Sequence, residues 1–510
     1  ALSLSELIRS STSNLLQERC GINKDVSIKE QPETSFVLHL PLTNLRGVKQ
    51  NPTFAVATRL ANSLCLPLVT VYVASCPEAE AQVWATSRRL AFICEAIGSS
   101  SNALQKHGGV SECYFLLKGL NTTLPHNAII ASLIELCYKG GVPAVVTDEC
   151  FVDPYLSIVE RLERNLKCPV VRVDGSTIVP PRILPSCRGM RPWQWENKTR
   201  ALRLERVNAA INGEFDGVEV KGKLNGGEME KLLPRLWKTD KVDITTGSEF
   251  RLISNYKEWT VSKMGSEGPG PCKQTVGTEG AGIRRWERFR SGKGLENYAK
   301  KRNDARFPHN VSRMSCYLNL GIVSIFRLVS DVFNCSSSGK MSDEILKWRE
   351  GCYLHCYYER EYGSVKHAPD WVKRWFRCRS GGGGGGNKSN GEGGGFEGRL
   401  EECESPCDVW NGMQSYLRKT GELHNNVRMT WGRTVVMWIY ERGEGDLEDA
   451  LRCLTRLNDR YALDGFSPCS YGGLLWCIGW GEKPGQGGGL KDKRSGSYRM
   501  NAQDFGLAKG

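Results

Sequence analysis

The stretch LRKTGELHNNVRMTWGRTVVMW (Leu417–Trp438) decides the fold of the C-terminal half of the chain. Gly421 marks a turn near its start. Core-type residues then recur at spacings of three, four and seven, which predicts a helix with one buried face. These residues are Val427, Trp431, Thr434, Val435 and Trp438.

A second stretch, LNDRYALDGFSPCSYGGLLWCIGWGEKP (Leu457–Pro484), completes this region. It predicts a short helix, a loop that contains Gly465 and Pro468, and an apolar run that ends in two tryptophans. Arg428 and Trp431 lie three residues apart and therefore share a helix face. Two interpretations follow: a tryptophan-rich helical core with a satisfied ion pair, or a site that uses the arginine and the tryptophans chemically.

The N-terminal half alternates apolar strands with helices, which predicts a doubly wound parallel sheet of the Rossmann type. The predicted strands are Phe36–Leu42, Leu66–Val73, Tyr114–Gly119, Ala144–Glu149 and Pro169–Gly175. The predicted helices between them are Pro52–Ser63 and Ala128–Lys139.

Four segments organise the chain around these patterns. We expect a polar, loosely attached N-terminal extension (1–34), an α/β domain (35–190), a connector (191–282) and an all-α domain (283–500). Within the connector, Lys257–Gly282 is rich in glycine and predicts a surface loop. A glycine-rich tract at 380–397 predicts a disordered insertion, because it offers too little apolar surface to bury.

Composition narrows the class of protein. The chain has 510 residues, is 40% hydrophobic and carries a formal net charge of +13, which suits a polyanionic partner such as nucleic acid. No apolar run approaches the ~20 residues that a membrane-spanning helix needs. Its 20 cysteines contain no CxxC pair, so we expect reduced thiols in an intracellular protein and no metal site.

Ordered stretches across the chain resemble the DNA photolyase/cryptochrome family, and within it most closely the class II cyclobutane pyrimidine dimer photolyases. The resemblance covers roughly residues 36–500. It is carried by Tyr114–Gly119, Val170–Ile183, Val311–Ser324, Glu344–Glu350, Trp410–Trp438, Leu457–Gly465 and, more weakly, Gly479–Pro484 and Tyr498–Asn501.

The resemblance implies that the helical domain binds FAD. The implied FAD-binding residues are Tyr298, Ser312, Met314, Ser315, Arg349, Gln414, Asn425, Arg428, Asn458 and Asp464. Serine hydroxyls suit a diphosphate because they donate hydrogen bonds to it. The alternative for Ser312 and Ser315 is that they only cap a helix over Ser315–Phe326.

The resemblance also implies how electrons reach the flavin. Trp431 is the proximal, Trp410 the intermediate and Trp438 the distal tryptophan of a class II-like chain, and Asn458 faces flavin N5. Trp431 and Trp438 lie two helical turns apart, roughly 10 Å along the axis, so a third indole from another helix shortens the distance between them. Each of these tryptophans taken alone is also compatible with simple core packing.

The implied substrate is a pyrimidine dimer flipped out of DNA. Glu344 corresponds to the carboxyl group that hydrogen-bonds the dimer, and Trp348, Met429 and Trp476 correspond to the apolar lining of its pocket. A damaged base pair stacks poorly and is easier to extrude than a normal one; photolyases are among the established examples of this principle.

Two departures from the family pattern stand out. The family implies a second, light-harvesting chromophore in the α/β domain, but in Leu42–Pro52 only Arg46 and Asn51 of its expected residues are present. In the loop after Gly465, Cys469 and Ser470 stand where class II proteins more often have asparagine and glycine.

The expected function is light-driven repair of pyrimidine dimers in DNA by a monomeric flavoprotein, in the nucleus or in an organelle such as the chloroplast. The first alternative is a cryptochrome-type blue-light photoreceptor with no repair activity. The second is a nucleotide-binding protein without photochemistry, in which the tryptophans are only core.

Overall fold

The computed structural model describes most of the chain. The described residues are 2–28, 35–74, 81–84, 86–107, 112–117, 126–224, 231–232, 243–246, 253–264, 268–380, 395–485 and 488–492. The Tyr498–Asn501 match and most of the glycine-rich tract lie outside these residues.

A seven-stranded sheet forms the centre of the N-terminal half, with the order β1-β6-β5-β2-β3-β4-β7. Its five central strands run parallel, and the two edge strands pair antiparallel with them. The strands are β1 (Cys20–Ile22), β2 (Val37–Leu40), β3 (Leu68–Ala74), β4 (Glu112–Leu117), β5 (Val145–Asp148), β6 (Val170–Val173) and β7 (Asp243–Thr246).

The central strands are apolar because both faces of the sheet are covered by helices. All four residues of β2 and of β5 are buried. The helices of this half are α1 (Leu4–Ser11), α2 (Asn14–Gln17), α3 (Pro52–Ser63), α4 (Ala81–Trp84), α5 (Ser87–Lys106), α6 (His126–Lys139), α7 (Tyr155–Asn165), α8 (Pro192–Ile211) and α9 (Tyr256–Met264). The predicted doubly wound α/β domain is confirmed.

The expectation that the N-terminal extension is loosely attached is wrong for residues 2–28. Leu4 and Leu16 are fully buried, and β1 pairs with β6 at the edge of the sheet. Arg19, also fully buried, donates hydrogen bonds to the carbonyls of Asp174, Thr177 and Ile178. The apolar face of α1 supplies the anchor, since Leu4, Leu7 and Ile8 are its buried residues.

The expected surface loop in the connector is also wrong in part, because α9 occupies its beginning. This helix packs against α5, and Gly98 of α5 leaves the space that the Tyr256 ring fills. Tyr256 and Trp259 give α9 the apolar contacts that fix it on the domain. The segment boundaries themselves stay predictions.

The C-terminal half is helical, as predicted. Its helices are α10 (Glu279–Ser291), α11 (Gly294–Lys301), α12 (Ser315–Asn319), α13 (Ile325–Phe333), α14 (Gly339–Ser342), a π-helical segment (Asp343–Arg349), α15 (Glu350–Tyr358), α16 (Asp370–Ser380), α17 (Phe396–Glu401), α18 (Asp408–Thr420), α19 (Asn425–Arg442), α20 (Leu447–Tyr461) and α21 (Pro468–Cys477). None of the described helices is long and apolar enough to cross a membrane.

Two details of this half differ from the sequence expectation. The predicted helix Ser315–Phe326 is two helices, α12 and α13, because Gly321 adopts a positive φ of 54° and packs its backbone against the carbonyl of Thr43. The end of the expected insertion is ordered, since Phe396 begins α17 and its ring contacts Trp438 at a centroid distance of 6.4 Å.

Two adjacent arginines of α5 tie the α/β domain to the helical domain. Arg88 donates to the carbonyls of Leu417 and Tyr461, at 3.2 and 3.0 Å. Arg89 donates to the carbonyls of Asp459 and Ala462. These carbonyls lie in the last turns of α18 and α20 or directly after α20, where few helix carbonyls are fully paired and a side chain can donate to them.

Candidate functional site

A cavity of about 260 Å³ lies inside the helical domain, where α11, the π-helical segment, α19 and α21 converge. Eight of the ten predicted FAD-binding residues line it: Tyr298, Ser312, Met314, Ser315, Arg349, Asn425, Arg428 and Asp464. The other two, Gln414 and Asn458, are buried behind this lining. Residues separated by more than 160 positions in sequence thus share one cavity.

Arg428 and Asp464 form the predicted ion pair at the wall of the cavity. Arg428 Nη2 lies 2.8 Å from Asp464 Oδ1, and the two side chains are 12% and 14% exposed. Arg428 comes from the first turns of α19, and Asp464 from the loop between α20 and α21. The pair therefore fixes that loop against α19 and holds a cation at the cavity wall.

Asn458 does not line the described cavity, and its side-chain amide is fully hydrogen-bonded to other residues. Its Oδ1 accepts from Arg428 at 3.3 Å, and its Nδ2 donates to Asp459 Oδ1 at 2.9 Å and to Ser470 Oγ at 2.6 Å. Ser470 is one of the two departures from the family pattern. The predicted position of Asn458 opposite flavin N5 stays a prediction that requires this amide to turn.

Three polar side chains face the cavity without a protein partner. Among the residues that the structure describes, Ser312, Ser315 and Asn425 make no side-chain hydrogen bond, although all three line the cavity. The alternative that the serines only cap a helix is wrong, since Met314 occupies the N-cap position and no side chain caps that helix. These groups are free to donate to an anionic ligand.

Arg349 adds a second cation to the lining. It is 8% exposed, contacts Glu350 at 3.3 Å and stacks over the ring of Tyr353 at 4.3 Å. Burial lowers the pKa of its guanidinium, but the neighbouring Tyr353, Cys469 and Glu350 outweigh burial, so the net shift is upward. Arg349 therefore remains charged beside the cavity.

Gln414, which does not itself line the cavity, has a buried donor without a partner among the described residues. Its Oε1 accepts a hydrogen bond from Trp431 Nε1 at 3.0 Å, while its buried Nε2 has no partner within the described part of the chain. A buried donor left unpaired costs about 1–3 kcal/mol. With the free serines, Asn425 and the two arginines, the donor set suits the phosphates and the ring edge of a flavin dinucleotide.

Sequence reasoning missed a charged network beneath the cavity. The Glu422 carboxylate, which lines the cavity, accepts from Arg285 at 3.1 Å, from Arg313 at 2.9 Å and from Thr275. Arg313 and Glu422 both lie inside the stretches that carried the family resemblance. A charged residue in each of these otherwise buried segments was the feature of the sequence that could have predicted this network.

His424 was also missed. It lines the cavity just before α19 and accepts a hydrogen bond from the backbone N–H of Asn426 at 3.2 Å. Burial lowers the pKa of this imidazole to about 4. The ring is therefore neutral at pH 7 and adds no charge to the lining.

The three predicted electron-transfer tryptophans are in contact. The rings of Trp410 and Trp431 are stacked, with centroids 6.2 Å apart and planes 9° apart. Trp410 also contacts Trp438, with a centroid distance of 5.6 Å. All three tryptophans are buried in the helical core, Trp410 and Trp431 fully and Trp438 with 7% exposed, and none of them lines the cavity.

The predicted substrate residues divide into two groups. Glu344 and Met429 line the cavity. Trp348 lies outside this lining and is 44% exposed. Trp476 also lies outside it, half-buried, with the Arg433 guanidinium 5.1 Å above its ring. The roles assigned to these four residues stay predictions.

Glu344 lies in the π-helical segment and is held by two cations. Arg302 approaches its carboxylate at 2.8 Å and Lys340 at 2.9 Å. Nearby, burial and Glu344 raise the pKa of Tyr298 to about 12, so this phenol is neutral. Short π-helical segments are frequent at functional sites.

Arg46 and Asn51, the two residues of the expected second-chromophore motif that are present, both stabilise the fold. Arg46 is 1% exposed and donates to the carbonyls of Gln50 and Gly321 and to Asn44 Oδ1. Asn51 caps α3 by accepting from the N–H of Phe54 at 3.2 Å. Neither side chain has a free group to offer a chromophore.

The chain is similar to known photolyases along most of its length. It is 23% identical over 465 residues to the deoxyribodipyrimidine photo-lyase of Methanothermobacter thermautotrophicus, covering 89% of this chain and 90% of the relative. No family model matches the chain.

Solved structures show the same fold. The Synechocystis sp. PCC6803 cryptochrome superposes with a TM-score of 0.60 at 14% identity, covering 94% of this chain and 87% of that one. An archaeal photolyase from Sulfolobus tokodaii with two FAD molecules superposes with a TM-score of 0.55 at 13% identity, covering 87% of this chain and 83% of that one. The resemblance to the photolyase/cryptochrome family is confirmed; the class II subgroup stays a prediction.

Proposed function

We propose that this protein repairs cyclobutane pyrimidine dimers in DNA with light, using an electron from photoexcited, fully reduced FAD held in the cavity. The single observation that carries the photochemical part of this proposal is the row of three neighbouring tryptophans in the same helical domain as a cavity lined with free donors. Such a row can carry electrons to a buried cofactor, which is the role that the proposal gives it in addition to packing in the core.

The cavity residues have separate roles toward FAD in this proposal. Ser312, Ser315 and Asn425 donate to the diphosphate. Arg428 lies beside the isoalloxazine ring and stabilises the negative charge of its reduced form. The free amide of Gln414 offers one more hydrogen bond. When bound, FAD supplies the one-electron chemistry that no side chain of the cavity can supply.

Substrate recognition rests on the mouth of the cavity. Glu344, paired with Arg302 and Lys340, accepts hydrogen bonds from the flipped dimer, while Met429 gives the dimer an apolar contact. Trp348, exposed at 44%, offers a face on which a base stacks, a contact that is worth about 1–3 kcal/mol per base. The net charge of +13 favours binding to the DNA backbone.

A photoreceptor of the cryptochrome type is the second candidate. The observation that favours it is that Trp348 and Trp476, two of the four predicted dimer contacts, do not line the described cavity. The tryptophan row serves both candidates equally, because photoreduction of the flavin is common to repair proteins and receptors.

The deciding experiment illuminates the purified, chemically reduced protein with DNA that contains a single pyrimidine dimer and follows the loss of the dimer. The test variant is Trp348→Ala, and the control is Tyr138→Ala, an exposed aromatic residue (78%) on α6 of the α/β domain. Light-dependent repair that weakens with Trp348→Ala and persists with Tyr138→Ala supports the proposal.

Other outcomes point elsewhere. A yellow protein that is photoreduced but leaves dimers intact supports the photoreceptor. A colourless protein that does not take up added FAD contradicts both candidates.

A further inference from the structure

A pair of cysteines lies at the wall of the cavity, and the proposed function does not use it. Cys469, in the first turn of α21, lines the cavity, and its thiol is hydrogen-bonded to that of Cys352 on α15. Both cysteines are only partly buried in the folded chain. Cys469 is also the residue that stands where related sequences more often have asparagine.

The packing of α15 on α21 brings the two thiols together. Gly472 lies one turn after Cys469 on the same face of α21, and a Cβ at Gly472 would collide with the Cys352 sulfur. Cys352 therefore occupies space that only glycine leaves open. The helix that carries Cys469 has ten residues, so its N-terminal turn offers a full helix dipole to a thiolate.

The surroundings favour a reactive thiol at Cys469. The hydrogen bond from Cys352 lowers the pKa of the Cys469 thiol, and Arg349 acts in the same direction. Burial, Asp464 and Glu350 oppose this, but the net shift of the pKa is downward. The same hydrogen bond and burial raise the pKa of Cys352. A low-pKa thiol at a helix N-terminus, next to a cation and a second thiol, is the environment of redox-active dithiols.

We propose that Cys352 and Cys469 form a redox-active dithiol that reduces an oxidised flavin in the cavity in the dark. The inference rests on the proposed function, because the electron acceptor is the FAD assigned there. It adds a route to the fully reduced flavin that needs neither light nor the tryptophan row.

The reaction balances with the groups at hand. The two thiols form one disulfide bond and lose two electrons and two protons. The flavin takes both electrons and one proton to give its anionic reduced form, and the second proton goes to solvent. Disulfide couples include strongly reducing ones, so a protein dithiol is a competent two-electron donor.

The chain contains a matched control pair. Cys137 and Cys168 are also hydrogen-bonded to each other, but they lie in the α/β domain, on α6 and just before β6, away from the cavity lining. A thiol pair that merely oxidises can do so at either place, whereas only the pair at the cavity can exchange electrons with the flavin.

The test uses the full chain with oxidised FAD, in the dark and without oxygen. The protein is equilibrated in glutathione buffers of increasing reducing strength, its free thiols are alkylated, and disulfide-linked peptides are identified by mass spectrometry. In parallel, a phosphine reductant is added and the blue absorbance of the flavin is followed, with free FAD as the reagent control. The variants are Cys469→Ser, Cys352→Ser and Cys137→Ser.

The expected result is a linked peptide that joins Cys352 to Cys469 in oxidising buffer and disappears in reducing buffer. Flavin bleaching in the dark then occurs in the native protein and in Cys137→Ser but is lost in Cys469→Ser and Cys352→Ser. The inference is overturned by the absence of this linked peptide in every buffer, by linkage of Cys469 to Cys356 in its place, or by equal bleaching in all four proteins.

Failure of the proposed function gives a different signature. A protein that takes up no FAD removes the electron acceptor and overturns the flavin reaction. The peptide map is independent of flavin and still reports whether the two cysteines form a reversible disulfide.

Discussion

The rings of Trp410 and Trp431 are nearly parallel, with planes 9° and centroids 6.2 Å apart, and the indole N–H of Trp410 donates to the backbone carbonyl of Trp431 at 3.0 Å. The hydrogen bond fixes the distance between the two rings. In the proposed electron-transfer role, this fixed distance would make Trp410 the link between Trp431 and Trp438.

Replacing Trp410 with phenylalanine tests the row. Light-driven reduction of oxidised FAD should slow strongly, since the middle ring loses its ease of oxidation and its hydrogen bond. Repair by protein that has been chemically reduced beforehand should be unchanged. Flavin absorbance under blue light measures the first rate, and Trp371→Phe, another tryptophan of the same helical core, is the control. Photoreduction of Trp410→Phe at the native rate would remove the row from the mechanism.

The Arg428–Asp464 pair is predicted to be coupled energetically. Arg428→Met or Asp464→Leu each leaves a charge alone beside the cavity, which costs up to about 3 kcal/mol of unfolding free energy. The double variant should lose less than the sum of the two, because no unpaired charge remains. Urea unfolding of the four proteins without FAD measures this cycle, and strict additivity would show that the pair does not interact.

Gln414 is predicted to serve the flavin and Trp431 together. Gln414→Leu removes the acceptor of the Trp431 N–H and the free donor, so unfolding free energy should fall by about 1–3 kcal/mol and FAD should bind more weakly. Gln414→Glu keeps the acceptor and loses the donor, so it separates the two roles. The fluorescence of free FAD at equilibrium measures affinity. Unaltered affinity in both variants would mean that the free amide does not meet the cofactor.

Arg89 is predicted to hold the loop that carries Asp464. Arg89→Met leaves the carbonyls of Asp459 and Ala462 without their buried donor, which costs about 1–3 kcal/mol. The loop should then loosen, and FAD should dissociate faster during dilution. Arg164→Met, on the exposed side of α7, is the control. FAD release at the native rate would limit Arg89 to a role in stability alone.

Glu350 is predicted to make stability depend on pH. Burial raises the pKa of this carboxyl from 4.5 to about 7, while Arg349, Arg203 and the backbone N–H of Ile178 oppose the rise and Asp174 adds to it. A carboxyl with a raised pKa stabilises the fold fully below its unfolded pKa and loses this contribution as pH rises through the folded value. The loss between pH 4.5 and 7 is about 3 kcal/mol.

Glu350→Gln should remove this dependence, because the amide keeps an acceptor for Ile178 and does not ionise. Relative to the native protein, the variant should therefore gain stability as pH rises from 4.5 to 7, measured by urea unfolding at several pH values. Glu205→Gln, whose side chain is 68% exposed, is the control. A constant difference between Glu350→Gln and the native protein across this range would contradict the shift.

The sequence by itself determined many elements of the fold. The five parallel strands of the sheet followed from apolar runs, and the helix Pro52–Ser63 followed from its helical composition. The helix after Gly421 followed from the spacing of its tryptophans. These features depend on neighbours within a few residues, so periodicity and capping residues contain the necessary information.

The tertiary structure alone decided how these elements meet. In the folded chain, Trp410 of α18 lies between two tryptophans of α19, and the amide of Asn458 is hydrogen-bonded to Ser470. The N-terminal helix is buried against the α/β domain, and Cys352 lies beside Cys469. Each of these contacts joins residues that are distant in sequence, and each depends on side-chain packing and on competition among hydrogen-bond partners. Local sequence patterns do not predict which of the competing partners a side chain binds, because that choice depends on the packing of the whole chain.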